Sequence, residues 1–100
     1  MDKNYLVIGL ASKAGKTVTG ESMVLEAIRN NEVYLVIVAG DASDNTKKKF
    51  MDKCSFYNIK SIIALDKESL GSLTGKESRT VIAITDEGMS KSLLKKIGGQ

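Results

Sequence analysis

The chain of 100 residues contains no histidine, no tryptophan and no proline, and it has a single cysteine, Cys54. Without histidine, neither a Ser-His nor a Cys-His nucleophile pair can form, and the usual zinc sites lack their ligands. One cysteine cannot form an internal disulfide bond. Because these absences remove most hydrolase chemistry, we expect a protein that is not an enzyme and that holds no metal and no cofactor.

Long apolar runs are also missing. No segment stays apolar over the roughly 20 residues that a membrane-spanning helix needs, and the sequence shows no signal peptide. We therefore expect a cytoplasmic protein without a membrane partner. Apolar residues make up 42 % of the sequence, which is enough for one core without disulfide bonds or metals and favours a single domain over residues 1–100.

Charge and aromatic content bear on the partner. The net charge of +3 and the isoelectric point near 9.0 weakly favour a polyanion such as nucleic acid. Aromatic residues make up only 5 % of the chain, which argues against the platforms on which single-stranded bases stack. The basic run at 47–49 is interpreted as a solvated face of a helix.

Strand patterns and helix patterns alternate along the chain. Runs of β-branched and aliphatic residues at 32–39, 61–65 and 80–85 predict strands that are covered on both faces. Between them, helical spacing gives apolar stripes, of which two are Met23, Val24, Ala27 and Ile28, and Phe50, Cys54 and Tyr57. The residues expected to cap helix starts are Thr19, Ser43, Asp66 and Asp86. The pattern predicts one α/β domain with helices on both faces of a small sheet.

The segment LASKAGKTVTGE, at 10–21, admits two interpretations. A phosphate loop, G-x-x-x-x-G-K-[ST], would aim Lys16 and Thr17 at a phosphate, but it requires a preceding strand and a glycine where this chain has Leu10. In the other interpretation the preceding residues form a helix that ends at a left-handed Gly15, with Lys13 and Lys16 beside its terminal carbonyl groups. The helix is favoured.

Several separated motifs, in order, carry a family resemblance. They are ASKAGKTVTGE from Ala11, AIRN from Ala27, LVIVAGDASDNTKKKF from Leu35, DKCSFYNI from Asp52, and LGSLTGKESRTVIAITDEGMSKSL from Leu70. The match extends over 5–94 and resembles the YlxQ-like bacterial branch of the L-seven-Ae ribosomal protein family. The resemblance implies a three-layer α-β-α sandwich around a small mixed sheet. It also implies binding to kink-turn RNA, a helix–internal loop–helix element with tandem sheared G·A pairs.

The resemblance further implies which residues contact RNA. In that family the N-terminus of the second helix enters the groove at the G·A pairs, and the loop before the last strand covers a flipped nucleotide. A helix N-terminus suits this role because it offers free N–H groups and a partial positive charge. The implied RNA-binding residues are Lys13, Lys16, Thr17, Gly20, Glu21, Ser22, Met23, Glu26, Arg29, Lys76, Glu77, Ser78 and Arg79.

This chain departs from the family pattern at several of these positions. Relatives that bind kink-turns tightly usually have Asn-Glu in place of Ser22 and Met23, and a lysine in place of Glu26. A carboxylate at residue 26 repels RNA phosphates. The loop at 75–80 also lacks the aliphatic tip that strongly binding relatives place against the flipped base.

Two functions from different classes remain at this point. The first is a non-catalytic RNA-binding protein, with ribosomal RNA among its candidate partners and no small-molecule substrate. The second is a nucleotide-binding protein that uses Gly15, Lys16 and Thr17. A helix before Gly15 favours the first function and a strand favours the second. RNA binding also requires Lys16, Gly20 and Arg79 on one surface.

Overall fold

A computed structural model of the chain describes residues 2–98. Within them, a 3₁₀ turn at Lys3–Tyr5 leads into five α-helices: α1 Leu6–Lys13, α2 Glu21–Arg29, α3 Asp44–Phe56, α4 Lys67–Leu73 and α5 Glu87–Lys96. Four strands alternate with the helices: β1 Thr17–Thr19, β2 Leu35–Val38, β3 Lys60–Ile63 and β4 Val81–Ile84. The alternation of strands and helices expected from the sequence is confirmed.

The four strands form one mixed sheet in the order β1-β4-β2-β3. Strand β4 runs antiparallel to both β1 and β2, whereas β2 and β3 are parallel. Helices α2 and α3 contact each other, and α1 contacts both α4 and α5. The sheet therefore lies between two helical layers, which confirms the three-layer α-β-α sandwich around a small mixed sheet.

The centre of the sheet carries most of the core. Every residue of β2 and β4 is buried, because both strands have a neighbour on each side and helices on each face. The prediction that residues 61–65 are covered on both faces is wrong, since β3 is an edge strand with Lys60 and Ile63 exposed. The observed strands β2 and β4 are also shorter than the apolar runs at 32–39 and 80–85. Strand β3 ends before Leu65, which adopts a left-handed conformation.

The apolar stripes and the helix caps agree with most of the predictions. Phe50 and Cys54 are buried and Tyr57 packs against them at the rim of the core, but Met23 lies outside its predicted stripe and is 58 % exposed. The side chains of Ser43, Asp66 and Asp86 accept hydrogen bonds from the first turns of α3, α4 and α5. The prediction of Thr19 as a cap is wrong, because Gly20 occupies that position in α2.

One buried hydroxyl gives a prediction about stability. Ser90 in α5 is 2 % exposed, and within residues 2–98 its Oγ has no hydrogen-bond partner. An unsatisfied buried hydroxyl is destabilising, and alanine is also the better helix former. We expect Ser90→Ala to raise the free energy of unfolding by about 1 kcal/mol in urea denaturation. Ser92→Ala, at a half-buried position of the same helix, controls for helix propensity and should gain less; equal gains would contradict the prediction.

Candidate functional site

The first part of the candidate site is the segment that follows the C-terminal end of α1. Residues Leu6–Lys13 are helical, and Gly15 ends the helix with a left-handed φ of 71°. The backbone N–H of Lys16 then donates to the carbonyl oxygen of Ala11 at 2.8 Å. Because Lys16 and Thr17 follow a helix, the strand that a phosphate loop requires is not there. The helical interpretation of this segment is confirmed.

Gly20 joins β1 to α2 in a conformation that favours glycine. Its φ of 92° and ψ of 152° lie where a side chain strains the backbone, although an added Cβ would meet no atom within 4 Å. Its N–H donates to the carbonyl oxygen of Val81 at 3.1 Å. The glycine is therefore needed for the turn itself, and the turn places the start of α2 beside the start of β4.

Glu21, the first residue of α2, holds three elements together. Its carboxylate accepts hydrogen bonds from Lys49 Nζ at 3.0 Å, Thr80 Oγ1 at 3.1 Å and Thr46 Oγ1 at 3.5 Å. The bond from Lys49 is the main cause that holds the pKa of Glu21 below its ordinary value; partial burial opposes the shift. We call this network the Glu21 clamp. Lys49, in the run at 47–49 that is interpreted as a solvated face, is exposed and also belongs to this network.

The Glu21 clamp makes stability depend on pH. A depressed carboxyl pKa stabilises the fold above the ordinary glutamate range, and the stabilisation is lost as pH falls through that range. We expect Glu21→Gln to lower the free energy of unfolding by about 0.5–1 kcal/mol at pH 7, because the pair with Lys49 is partly exposed. The difference from the parent should narrow as pH falls below the ordinary glutamate pKa of about 4.3. It should close only below the lower pKa that Glu21 has in the folded protein.

Urea denaturation between pH 3 and pH 7 measures this difference. Asp52→Asn is the matched control. Like Glu21→Gln it removes one carboxylate that pairs with a lysine, but the Asp52 pair, with Lys48 at 3.2 Å, lies exposed on α3. An exposed pair of this kind contributes little. A Glu21→Gln variant as stable as the parent at pH 7 would show that the clamp does not hold the elements together.

The exposed face of α2 carries four of the implied RNA-binding residues. Ser22, Met23, Glu26 and Arg29 are exposed, whereas Val24, Ala27 and Ile28 on the opposite face are buried. The N-cap residue of the helix, Gly20, has no side chain with which to cap it. The first N–H groups and the positive end of the helix dipole are therefore available to an anion.

The loop between α4 and β4 is shaped by close packing against Gly71. The Lys76 N–H donates to the Gly71 carbonyl oxygen at 2.8 Å, and a Cβ on Gly71 would collide with the Glu77 carbonyl group. The Arg79 guanidinium folds back and donates to the carbonyl oxygens of Glu77 and Ser78 at 3.3 and 3.0 Å. Lys76, Glu77 and Ser78 are thus exposed, while Arg79 is half-buried and supports the loop.

A groove of about 400 Å³ connects this loop to α2. Its walls include Thr17 and Thr19 of β1, Met23 of α2, and Lys76 of the loop. At one end of β1 the carbonyl oxygen of Lys16 accepts from Thr85, and at the other end Gly20 donates to Val81. The surface on which RNA binding requires Lys16, Gly20 and Arg79 is therefore elongated. The extended chain from Lys16 to Gly20 alone spans about 13 Å.

Among residues 2–98, no group of three or more histidine, cysteine, aspartate or glutamate side chains could hold a metal ion. Cys54 is buried as expected, and burial raises the pKa of its thiol to about 11. The thiol therefore stays protonated at neutral pH and is not a nucleophile. In this part of the chain, no helix combines the length and hydropathy needed to cross a membrane.

Comparison with protein families gives one match over nearly the whole chain. A model described as the Ribosomal protein L7Ae/L30e/S12e/Gadd45 family matches residues 2–94. The chain is 42 % identical over 90 residues to a Bacillus subtilis (strain 168) protein named RNA-binding protein YlxQ, and the alignment covers 90 % of each. An Enterococcus faecium protein of the same name is 41 % identical over 93 residues, covering 93 % of this chain and 89 % of the relative.

Solved structures show the same fold. A Bacillus halodurans protein of unknown function superposes with a TM-score of 0.92 at 39 % identity, covering 98 % of this chain and 99 % of that one. A structure titled Giardia lamblia 15.5kD RNA binding protein superposes with a TM-score of 0.80, covering 94 % and 81 %. At 16 % identity, the second similarity concerns the fold alone.

Proposed function

Because this chain belongs to the Ribosomal protein L7Ae/L30e/S12e/Gadd45 family, we propose that it is a non-catalytic RNA-binding protein that recognises a kink-turn or a similarly kinked internal loop. Its relatives from Bacillus subtilis and Enterococcus faecium are named RNA-binding proteins. The observation that carries the proposal is the hydrogen bond from Gly20 to Val81. It brings together the two segments that the resemblance assigns to RNA, the start of α2 and the loop that ends at Arg79.

The start of α2 enters the groove of the RNA at the G·A pairs. Its uncapped N–H groups and exposed Ser22 supply hydrogen-bond donors, and Met23 supplies an exposed apolar contact. Thr17 and Thr19 line the adjacent wall. In this arrangement the Glu21 clamp positions the helix, because the Glu21 carboxylate is already engaged by Lys49 and Thr80.

Exposed cations flank this helix start and contact the phosphates. Lys13 and Lys16 lie at one end of β1, and Lys76 lies across the groove from Met23. Within residues 2–98, none of these three ammonium groups forms an ion pair with a carboxylate, so each is available to RNA. Arg79 contributes by holding the loop in shape as well as by its charge. Recognition is then mainly of backbone and shape, as is usual for RNA helices.

A gel-shift titration with a kink-turn hairpin tests the proposal. The control hairpin has the same length and stems, but Watson–Crick pairs replace the tandem G·A pairs. We expect the kink-turn hairpin to bind at least about tenfold more tightly, a difference of about 1.4 kcal/mol. Equal affinities for the two hairpins would overturn kink-turn recognition, and the absence of binding to both would overturn the RNA-binding function.

A further inference from the structure

Phe56, the last residue of α3, is an aromatic side chain that the core does not use. It is 79 % exposed, more than any other large apolar residue among those described. The ring of Tyr57 lies 5.0 Å from it, centroid to centroid, at an interplanar angle of 77°. This edge contact orients the Phe56 ring and leaves most of its surface open to a partner.

A depression of about 410 Å³ surrounds this ring and has a positive charge. Lys49, Asp52, Lys53, Phe56 and Tyr57 line it, all from one side of α3 and its end. Two ion pairs balance charge here, Asp52 with Lys48 at 3.2 Å and Lys49 with Glu21 at 3.0 Å. Among residues 2–98, Lys53 forms no ion pair with a carboxylate and gives the depression its positive charge. The depression therefore presents an aromatic ring beside an available cation, a combination that suits a nucleotide better than an apolar ligand.

The depression is linked to the start of α2 by Lys49. Lys49 lines the depression, and its Nζ lies 3.0 Å from Glu21 Oε1 at the start of α2. From Lys49 to Phe56 the helix advances by about 10 Å. An RNA strand that runs from the start of α2 along α3 would thus reach the exposed Phe56 ring within about 10 Å of Lys49.

We propose that RNA bound at the start of α2 continues along α3, where an unpaired nucleotide next to the kinked element stacks its base on Phe56. Lys53 contacts the phosphate of this nucleotide. The inference rests on the proposed function and extends its site to a second helix. A protein partner fits less well, because protein interfaces bury about 800 Å² per partner and Phe56 is the one exposed large apolar side chain among the residues lining this depression.

The test compares a blunt-ended kink-turn hairpin with hairpins that carry a short single-stranded extension at each strand end in turn. We expect one extension to tighten binding by the parent protein. Phe56→Ala should cancel that gain, about tenfold, and leave the affinity for the blunt hairpin unchanged. Phe56→Tyr keeps the ring and should keep the gain. Lys53→Ala should reduce it, whereas Lys96→Ala, on a helix of the opposite layer, should not.

A fluorescent variant gives a readout that a structural effect would not move. The chain has no tryptophan, so Phe56→Trp introduces a single reporter, and stacking of a base should quench its emission with the extended hairpin but not with the blunt one. If the parent protein binds neither hairpin, the proposed function fails. If it binds both alike and no hairpin quenches the reporter, RNA ends before Phe56 and this inference alone is overturned, with a protein as the remaining occupant.

Discussion

Replacing Gly71 by alanine will lower the free energy of unfolding by about 2–3 kcal/mol. Gly71 is buried in α4, and the new Cβ would collide with the Glu77 carbonyl group and come within 2.9 Å of Ser78 Cα. These are backbone atoms, so the loop that contains Lys76 must move away from α4 as a unit. The helix propensity of alanine recovers only about 1 kcal/mol, which does not offset the collision.

The same substitution at Gly9 should have the opposite sign. Gly9 lies inside α1, where a Cβ would make ordinary contacts with Leu73 at 3.7 and 3.8 Å, so Gly9→Ala should raise the free energy of unfolding by about 0.5–1 kcal/mol. Urea denaturation followed by circular dichroism measures both variants. A Gly71→Ala variant at least as stable as the parent would show that the loop does not pack on Gly71 as described.

Glu26→Lys should tighten kink-turn binding by about thirtyfold at low salt, because it replaces a repulsion of about 1 kcal/mol with an attraction of similar size, a change of about 2 kcal/mol. Glu26 is exposed on the same face of α2 as Ser22 and Met23. A new phosphate contact also releases counterions, so the slope of log affinity against log salt should become steeper by about 0.7–0.9. Titrations of the hairpin at several salt concentrations measure both effects.

The matched control is Glu87→Lys, which makes the same change of charge on α5, in the opposite helical layer. It should alter affinity little, because exposed charges more than a Debye length apart are largely screened. If Glu26→Lys and Glu87→Lys tighten binding equally, net charge accounts for the gain. The RNA would then not lie along the exposed face of α2.

The sequence predicted the fold well where local chemistry decides it. The capping side chains of Ser43, Asp66 and Asp86, and the left-handed Gly15, depend on neighbours a few residues away. The edge position of β3 could not be predicted in this way, because an apolar run does not show how many neighbouring strands it has. Thr19 fits the local preference for a cap, but the turn at Gly20 moves the start of α2 by one residue.

In the candidate site, too, the features that depend on nearby residues could be predicted from the sequence, and those that depend on distant residues could not. Helical periodicity predicts which residues face outward on α2. The same periodicity places Phe56 off the apolar stripe of Phe50, Cys54 and Tyr57, so the sequence also predicts that Phe56 is exposed. The Glu21 clamp could not be predicted, because it joins residues up to 59 positions apart. Nor does the sequence show that the Arg79 guanidinium turns back onto its own loop.

The hydrogen bond from Gly20 to Val81 also has a consequence for synthesis. Among the strands that the structure describes, β1 pairs only with β4, and about 60 residues separate the two in the chain. At a translation rate of about 5–20 residues per second, β1 waits about 3–12 s for its partner strand to be made. A nascent chain that has not yet released β4 therefore carries an unpaired β1 and lacks one side of the proposed RNA surface. On the proposed function, RNA recognition then begins only when synthesis of this domain is nearly finished.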